Sequence, residues 1–239
     1  MMSNKLYHTG RKLVDGFAHW MYDLDIVYHS PLPLGAKIFA PNHPTTTDPF
    51  LITKLIETPI SIMIHDTLFK VPVFGRYLQA AGHIRVVSGN GMAVLSAAMR
   101  KLEADIPVAI FPEGGISPRD GSLLAGHSGM ARLALATGAP IIPVGIALDR
   151  SQIRCIETTV DGKAEVARWY AKGPYAITVG KPMVFNGDAN NWNYVNAVTA
   201  QIMQNITALA WESTQRLPVA ESKRKEMVNV SPEGHWLVI

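Results

Sequence analysis

The segment APNHPTTTDPF at residues 40–50 decides the interpretation of this sequence, because it connects an apolar stretch to the start of a helix. Residues 36–40 have the composition of a short strand, and Asp48 followed by Pro49 is typical of a helix start. In one continuous helix, His43 and Asp48 would lie on different sides, since five steps of about 100° separate them. We therefore expect a turn between strand and helix to bring the imidazole and the carboxylate together.

Two interpretations of this His-Asp pair are open from the segment alone. Asp48 can simply cap the helix, with His43 as an ordinary turn residue. Alternatively, the carboxylate orients the imidazole, whose other nitrogen then takes a proton from a hydroxyl as a general base. The chain has no G-x-S-x-G motif, and its single cysteine, Cys155, lies in a charged stretch. The second interpretation thus favours direct transfer to an external acceptor over a covalent enzyme intermediate.

Outward from this segment, short apolar runs alternate with helical patterns. This alternation predicts an α/β fold with a single domain and a largely parallel central sheet flanked by helices. Predicted strands cover residues 25–29, 36–40, 60–64, 83–87, 107–111, 141–148 and 175–179, and predicted helices cover 49–57, 73–81, 91–104, 126–137 and 193–212. Residues 150–173 are more charged and contain an Asp161-Gly162 turn, so we expect a surface excursion there.

The two ends of the chain are expected to differ from this domain, which we place at residues 24–217. Residues 1–23 contain an amphipathic helix over 4–22, with two opposed sets of side chains. This helix either lies in a lipid interface or docks on the protein's own core. Its apolar stripe contains Leu6, Leu13, Phe17, Trp20 and Met21, and its polar face contains His8, Lys12, Asp15 and His19. No structure is predicted for the tail at 218–239.

The composition narrows the class of protein. The chain has 239 residues, of which 48% are hydrophobic and 17% charged, so it should fold. One cysteine excludes a disulfide scaffold and an all-cysteine metal site and favours a reducing compartment. A formal charge of +3 is weak for a nucleic-acid binder. With a mean hydropathy of +0.11, and neither an apolar run of membrane-spanning length nor a signal peptide, we expect a cytoplasmic protein, peripheral at the inner face of a membrane, with no nucleic-acid partner.

Two further segments follow predicted strands. VAIFPEGGISPRDG at residues 108–121 places Glu113 at the carboxyl end of a strand, where open α/β sheets bind ligands. GAPIIPVGI at residues 138–146 is by itself an ordinary core strand that contains a proline.

Taken together, these segments resemble a known family. N-H-P-T-T-T-D at 42–48, F-P-E-G at 111–114 and I-P-V at 142–144 are similar, in order and spacing, to the glycerolipid acyltransferases of the 1-acylglycerol-3-phosphate acyltransferase type. The resemblance extends to K-V-P-V-F-G at 70–75, A-A-G-H-I at 80–84 and the segment 129–140, and covers roughly residues 36–148.

The resemblance implies transfer of a fatty acyl group from acyl-CoA or acyl carrier protein to a hydroxyl of a lipid acceptor at a membrane surface. His43, oriented by Asp48, would deprotonate that hydroxyl, and backbone N–H groups near the helix start would stabilise the oxyanion. Glu113 and Gly114, with the adjoining Gly115, would shape the acceptor pocket. No metal and no cofactor beyond the acyl carrier is implied.

The sequence departs from the family at the two arginines that commonly bind the acceptor phosphate. Ile116 stands where E-G is usually followed by an arginine after one residue, and Ser88 stands where the second block usually has its arginine. Because charge-assisted contacts to phosphate contribute substantially to binding, the sequence predicts that phosphorylated acceptors are poor substrates.

Nearby cations offer an alternative to that prediction. Arg119 lies in a loop and, with Lys70 or Arg76, could rebuild a phosphate site. Arg85 is a weaker candidate, since an odd offset of three residues from Ser88 points it to the other face of a strand.

Two rival functions also remain. The first is a thioesterase or hydrolase that uses water as the acceptor with the same His-Asp base. The second is a catalytically silent lipid-binding module, against which the intact His43 and Asp48 count.

Overall fold

The computed structural model describes residues 4–160 and 163–218 of the chain. The strands are β1 (Tyr22–Tyr28), β2 (Ile38–Pro41), β3 (Ser61–His65), β4 (Ile84–Val86), β5 (Val108–Ala109), β6 (Ile141–Leu148), β7 (Ile153–Val160), β8 (Lys163–Tyr170) and β9 (Gly173–Val179). The helices are α1 (Asn4–Met21), α2 (Asp48–Ile52), α3 (Asp66–Phe69), α4 (Phe74–Ala80), α5 (Gly91–Glu103), α6 (Gly129–Thr137) and α7 (Trp192–Arg216), with a short 3-10 turn at Arg150–Gln152.

Seven strands form one mixed sheet in the order β1-β9-β6-β2-β5-β3-β4. Every neighbouring pair is parallel except β6 and β9, which run antiparallel with Val144 opposite Val179. The predicted α/β fold with a largely parallel central sheet is therefore confirmed. The central strand β6 is buried at all eight positions, which explains its continuous apolar sequence.

Helices cover both faces of the sheet, and alternate strand residues enter two apolar clusters. Phe39 packs with residues of α1 and α2 on one face, whereas its neighbours Ile38 and Ala40 pack with α5, α6 and α7 on the other. Helix α7 approaches the sheet most closely at Gly145, where an added Cβ would lie 2.0 Å from the Leu209 carbonyl carbon. The small residue in β6 thus permits this helix to cross the sheet.

The charged stretch at 150–173 contains more regular structure than we expected. Strands β7 and β8 pair antiparallel from Ile153 with Tyr170 to Val160 with Lys163, forming a separate two-stranded hairpin. The sequence interpretation placed no strand here, because these residues lack the apolar character of the buried strands. The predicted Asp161-Gly162 turn and the tail from residue 219 onward lie outside the described residues.

Helix α1 both docks on the core and exposes an apolar stripe, so the two alternatives from the sequence are not exclusive. Tyr7 and Ala18 are buried in the core cluster, and the Tyr7 hydroxyl accepts a hydrogen bond from the Ile60 N–H at 3.1 Å. Leu13 and Trp20 remain 72% and 86% exposed. The docked face and the exposed stripe are separate, because residues 7 and 18 are rotated by about one third of a turn from the stripe.

Candidate active site

Two loops meet at one edge of the sheet. Strands β2 and β5 are parallel neighbours, so the segments that follow them, carrying His43 and Glu113, emerge side by side. The imidazole of His43 packs on the Phe111 ring with centroids 4.2 Å apart. Sheet order thus joins two motifs that are 70 residues apart in the chain.

His43 and Asp48 form the pair that the sequence predicted. Nδ1 of His43 lies 3.0 Å from Oδ2 of Asp48, and the Asp48 side chain is fully buried while 16% of the His43 side chain is exposed. A carboxylate oxygen accepts hydrogen bonds, so the proton belongs on Nδ1 and the Nε2 lone pair is available. The exposed fraction lets a small group reach this ring.

Four donors surround the Asp48 carboxylate. Oδ2 accepts the Thr45 N–H at 2.7 Å as well as His43, and Oδ1 accepts the Thr45 hydroxyl at 2.6 Å and the Tyr175 hydroxyl at 2.7 Å. This set of donors compensates the burial of a charge. Asp48 begins α2, yet its side chain serves the preceding turn and His43, so it does more than cap a helix.

A cluster of three tyrosines lies beneath Asp48. Tyr22 stacks on Tyr170 with centroids 5.7 Å apart, and Tyr175 lies within 6.0 Å of both rings. Burial raises the pKa of Tyr22 and of Tyr170 to about 12 and raises that of Tyr175 well above its usual value. The Tyr175 hydroxyl therefore remains a neutral donor to Asp48 at any physiological pH.

Glu113 is buried and fixes the loop that carries His43. Its Oε1 accepts the His43 N–H at 2.9 Å and the Ser117 hydroxyl at 2.6 Å, and its Oε2 accepts the Leu124 N–H at 2.8 Å. Ser117 also donates its own N–H to the His43 carbonyl at 2.8 Å. In this structure Glu113 positions His43; its predicted contact with the acceptor stays a prediction.

The glycines that follow Glu113 have different surroundings. Gly114 has a φ of +66°, and a Cβ added there would lie 2.6 Å from the His127 ring. A Cβ added at Gly115 would meet nothing within 4 Å. The space beside Gly115 is thus open to a ligand, whereas Gly114 is required by the turn itself.

Asn42 fixes the other side of the His43 loop to the central strand. Its amide nitrogen donates to the Ile146 carbonyl at 3.0 Å, and its amide oxygen accepts the Ile146 N–H at 2.7 Å. The side chain extends the β2–β6 pairing past Pro41, which explains why this motif and the I-P-V strand occur together.

The β7–β8 hairpin covers the threonines of the motif. Thr46 and Arg168 exchange two bonds: the Thr46 N–H donates to the Arg168 carbonyl at 2.8 Å, and the Arg168 N–H donates to the Thr46 hydroxyl at 3.0 Å. The Tyr170 N–H donates to the Thr47 hydroxyl at 3.2 Å. The hairpin therefore supports the turn that carries His43 and Asp48.

Most backbone N–H groups of the turn are already engaged. Those of His43, Thr45, Thr46 and Asp48 donate to Glu113, Asp48, Arg168 and Thr45 respectively. The oxyanion donors expected near the helix start are consequently not these four.

Two of the predicted cations lie together in a separate group. Arg85, on the edge strand β4, contacts Asp66 at 3.3 Å, and Lys70 contacts the same carboxylate at 3.5 Å. Burial raises the pKa of Asp66, but a hydrogen bond from Arg85 and the nearby positive charges outweigh this effect and leave the pKa below its usual value. The structure joins Arg85 and Lys70 to each other through Asp66, and it brings neither to His43 by a recorded contact among the described residues.

Three other arginines surround the loop after Glu113. Arg119 donates to the Cys155 thiol at 3.0 Å, Arg150 donates to the Pro118 carbonyl at 3.0 Å, and Arg168 donates to the Ser117 carbonyl at 2.5 Å. Only Arg119 was a candidate from the sequence. Arg150 and Arg168 were missed, because they belong to the stretch after Leu148 that carries no recognisable motif.

The described residues contain no group of three or more histidine, cysteine, aspartate or glutamate side chains that could hold a metal ion. Among the helices over residues 4–160 and 163–218, none combines the length and apolar character needed to span a bilayer.

Comparison with known proteins places this geometry in context. A solved structure, the 1-acyl-sn-glycerophosphate acyltransferase PlsC from Thermotoga maritima, superposes with a TM-score of 0.66 over 89% of this chain and 81% of that one, at 18% identity. Curated relatives include 1-acyl-sn-glycerol-3-phosphate acyltransferases from Limnanthes douglasii, 28% identical over 137 residues, and from Cocos nucifera, 31% identical over 111 residues.

Those curated matches cover 55% and 45% of this chain, and the chain spans at most about half of the relatives' own length, 48% and 36% respectively. A family model described as Acyltransferase matches residues 25–147, just over half of the chain, and includes all three motifs. The chain therefore belongs to the acyltransferase family.

Proposed function

We propose that this protein transfers a fatty acyl group from a thioester, acyl-CoA or acyl carrier protein, to a hydroxyl of a lipid acceptor of the 1-acylglycerol 3-phosphate type. The observation that carries the proposal is the 3.0 Å contact between His43 Nδ1 and the buried Asp48 carboxylate, which leaves Nε2 as the base. The names of the curated relatives support the same reaction.

The chemistry follows from this geometry. Nε2 of His43 accepts the proton of the acceptor hydroxyl while the oxygen of that hydroxyl attacks the thioester carbonyl carbon. Collapse of the tetrahedral intermediate breaks the carbon–sulfur bond, and the imidazolium returns the proton to the leaving thiolate. Asp48 stabilises the imidazolium between these two steps. No covalent enzyme intermediate is formed, and no cofactor besides the acyl carrier takes part.

Product analysis tests the proposal against its two rivals. Purified protein is incubated with radiolabelled acyl-CoA and a panel of hydroxyl acceptors, and both free thiol and labelled lipid are followed. Transfer predicts acyl-lipid in proportion to thiol, whereas a thioesterase gives thiol and free fatty acid without added acceptor. A silent lipid-binding module gives neither product.

The variant His43→Ala should lower the transfer rate by about 10² to 10⁴. A matched control is His29→Ala, which removes an exposed histidine from another carboxylate, Glu212, at 3.0 Å. Near-normal transfer by His43→Ala, with the folded state verified by its melting curve, would refute the mechanism.

We also propose that the protein binds a membrane surface through the exposed stripe of α1, on the cytoplasmic side. Leu13, Phe17 and Trp20 present apolar area to the outside of a docked helix, which is the geometry of an interfacial helix. The free, exposed Cys155 is consistent with a reducing compartment.

Because Tyr7 and Ala18 belong to the core, deleting α1 would disturb folding, and point substitutions are the suitable test. Replacing Leu13, Phe17 and Trp20 by serine should lower co-sedimentation with anionic vesicles, while the melting temperature stays close to that of the unmodified protein. The control replaces Lys12 and His19, on the polar face, by serine. It shows how far any substitution in this helix changes sedimentation. Unchanged sedimentation of the triple variant would contradict the proposal.

A further inference from the structure

Arg119, Arg150 and Arg168 form a cluster, called here the arginine cluster, around residues 117–119. They come from the loop after β5, the turn after β6 and the hairpin strand β8. Arg150 reaches the carbonyls of both Pro118 and Arg119, at 3.0 and 3.3 Å. Three separate parts of the chain thus bring guanidinium groups to one short loop.

The charge of this cluster is not balanced by ion pairs. Over the part of the chain that the structure describes, none of the three arginines has a carboxylate oxygen within 4.0 Å, whereas Arg85 and Arg216 do. Their recorded side-chain partners are backbone carbonyls and the Cys155 thiol. Burial lowers the pKa of Arg150 and the charge of Arg168 adds to this change, whereas the charges of Asp120, Asp48 and Glu113 oppose it without direct contact.

Arg150 and Arg168 are partly buried while Arg119 is exposed, and partly buried like charges that have no carboxylate in direct contact are unfavourable. Each guanidinium has five N–H donors, and the recorded carbonyl contacts engage only part of them. The remaining donors suit the oxygens of a phosphate, which arginine binds with two parallel hydrogen bonds. An anion bound here would both neutralise the repulsion and use those donors.

The cluster adjoins the catalytic histidine through Ser117. The carbonyl of Ser117 accepts from Arg168, while its N–H and its hydroxyl oxygen contact the His43 backbone at 2.8 and 3.2 Å. In a 1-acylglycerol 3-phosphate, the free hydroxyl and the phosphate ester stand on adjacent carbon atoms. A phosphate near Ser117 therefore places its neighbouring hydroxyl on the side of His43.

We infer that the arginine cluster binds the phosphate of the acyl acceptor. This inference rests on the proposed function and identifies where its acceptor is recognised. It replaces the expectation that Ile116 and Ser88 leave phosphorylated acceptors poorly bound, because the positive charge is supplied from the stretch after Leu148 instead.

Direct binding tests the cluster without any acyl transfer. Calorimetric titration of the full chain with glycerol 3-phosphate should give a Kd that rises about 10- to 100-fold in Arg150→Ala and in Arg168→Ala. Arg100→Ala, which removes an exposed cation from α5, is the control and should bind normally. Unchanged affinity in both cluster variants overturns the inference.

Because the acyl donor also carries phosphate, kinetic measurements are needed to show whether the cluster binds the acceptor or the donor. In Arg150→Ala, KM for lysophosphatidic acid should rise by a clearly larger factor than KM for acyl-CoA or KM for monoacylglycerol. A rise confined to acyl-CoA, or an equal loss with both acceptors, overturns the inference. If the wild type transfers to no acceptor, the proposed function fails, and the titration still decides whether the cluster binds phosphate.

Because Arg168 also anchors the hairpin, Arg168→Lys is a second variant that keeps the charge and one donor. It should melt like the wild type and bind glycerol 3-phosphate more tightly than Arg168→Ala does. If Arg168→Lys melts like the wild type but loses as much affinity as Arg168→Ala, the charge of Arg168 is not what binds the phosphate.

Discussion

Replacing Asp48 by asparagine separates the charge of this residue from its hydrogen bonds. The Thr45 N–H cannot turn away from Oδ2, so the amide oxygen of the variant must occupy that position and also face His43 Nδ1. The amide NH2 then takes the place of Oδ1, where the hydroxyls of Thr45 and Tyr175 can rotate and accept instead of donating. The turn and the histidine tautomer should both survive.

What the variant loses is the negative charge beside the imidazolium. Two unit charges about 4 Å apart interact by about 4 kcal/mol at an effective dielectric constant near 20. Since the histidine is only partly protonated in the transition state, we expect about half to all of this loss in the barrier. At about 1.4 kcal/mol per decade, the rate of transfer should fall by about 30- to 700-fold.

The assay is thiol release from acyl-CoA at saturating lysophosphatidic acid, with the melting temperature measured in parallel. Tyr175→Phe is the matched control, because it removes one neutral donor from Asp48 and leaves the charge in place; its rate should fall less than tenfold. An Asp48→Asn enzyme within tenfold of the wild type would refute the argument that the charge stabilises the imidazolium.

Two further predictions concern stability. Burial lowers the pKa of His83 to about 4, with Lys101 adding to the effect, so the unfolded chain binds a proton that the folded protein excludes between about pH 6.5 and 4. The free energy of unfolding in urea should therefore fall by up to about 3 kcal/mol as the pH drops through this range. If the free energy of unfolding of His83→Asn fell by the same amount over this range, His83 would not be the cause. Gly145→Ala should lower the free energy of unfolding by about 1 to 3 kcal/mol or more, because the new methyl meets the backbone of α7. Gly16→Ala, in open space on α1, should instead stabilise by about 0.5 to 1 kcal/mol, and equal effects at the two glycines would argue against a steric cause.

The sequence predicted the parts of the site that are encoded locally. His43 and Asp48 are five residues apart in a strand-to-helix turn whose residue types are characteristic. The local sequence pattern was therefore enough to predict that the two side chains lie close together. The rule that ligands bind at the carboxyl ends of parallel strands placed Glu113 near the site, and the resemblance to the family made it a candidate. Its burial and its bond to the His43 N–H did not follow, because a P-E-G-G turn gives no indication of what its carboxylate will contact.

Residues that approach the site through tertiary structure escaped prediction. Tyr175 reaches Asp48 from 127 residues away, and it does so because β9 runs antiparallel to β6, a strand order that no local pattern encodes. Arg168 depends on a hairpin whose strands are too polar to resemble buried ones. Helix α1 was predicted as amphipathic. The spacing of its apolar residues could not show, however, that the helix has both a docked face and an exposed apolar stripe.

The division between predicted and missed residues coincides with a division in the chain itself. The family match ends at residue 147, and it contains the proposed base His43, its partner Asp48 and the loop that carries Glu113. Tyr175, Arg150 and Arg168 all lie beyond that point; Tyr175 donates to Asp48, and the two arginines donate to the loop at residues 117–119, where we infer that the acceptor phosphate binds. A reaction shared by a family needs the same base in each member, whereas each acceptor needs its own binding groups. The residues after 147 are thus where we expect this chain to differ in acceptor from relatives that share its motifs, and a substitution at Arg150, which does not contact Asp48, should alter KM for a phosphorylated acceptor more than it alters kcat.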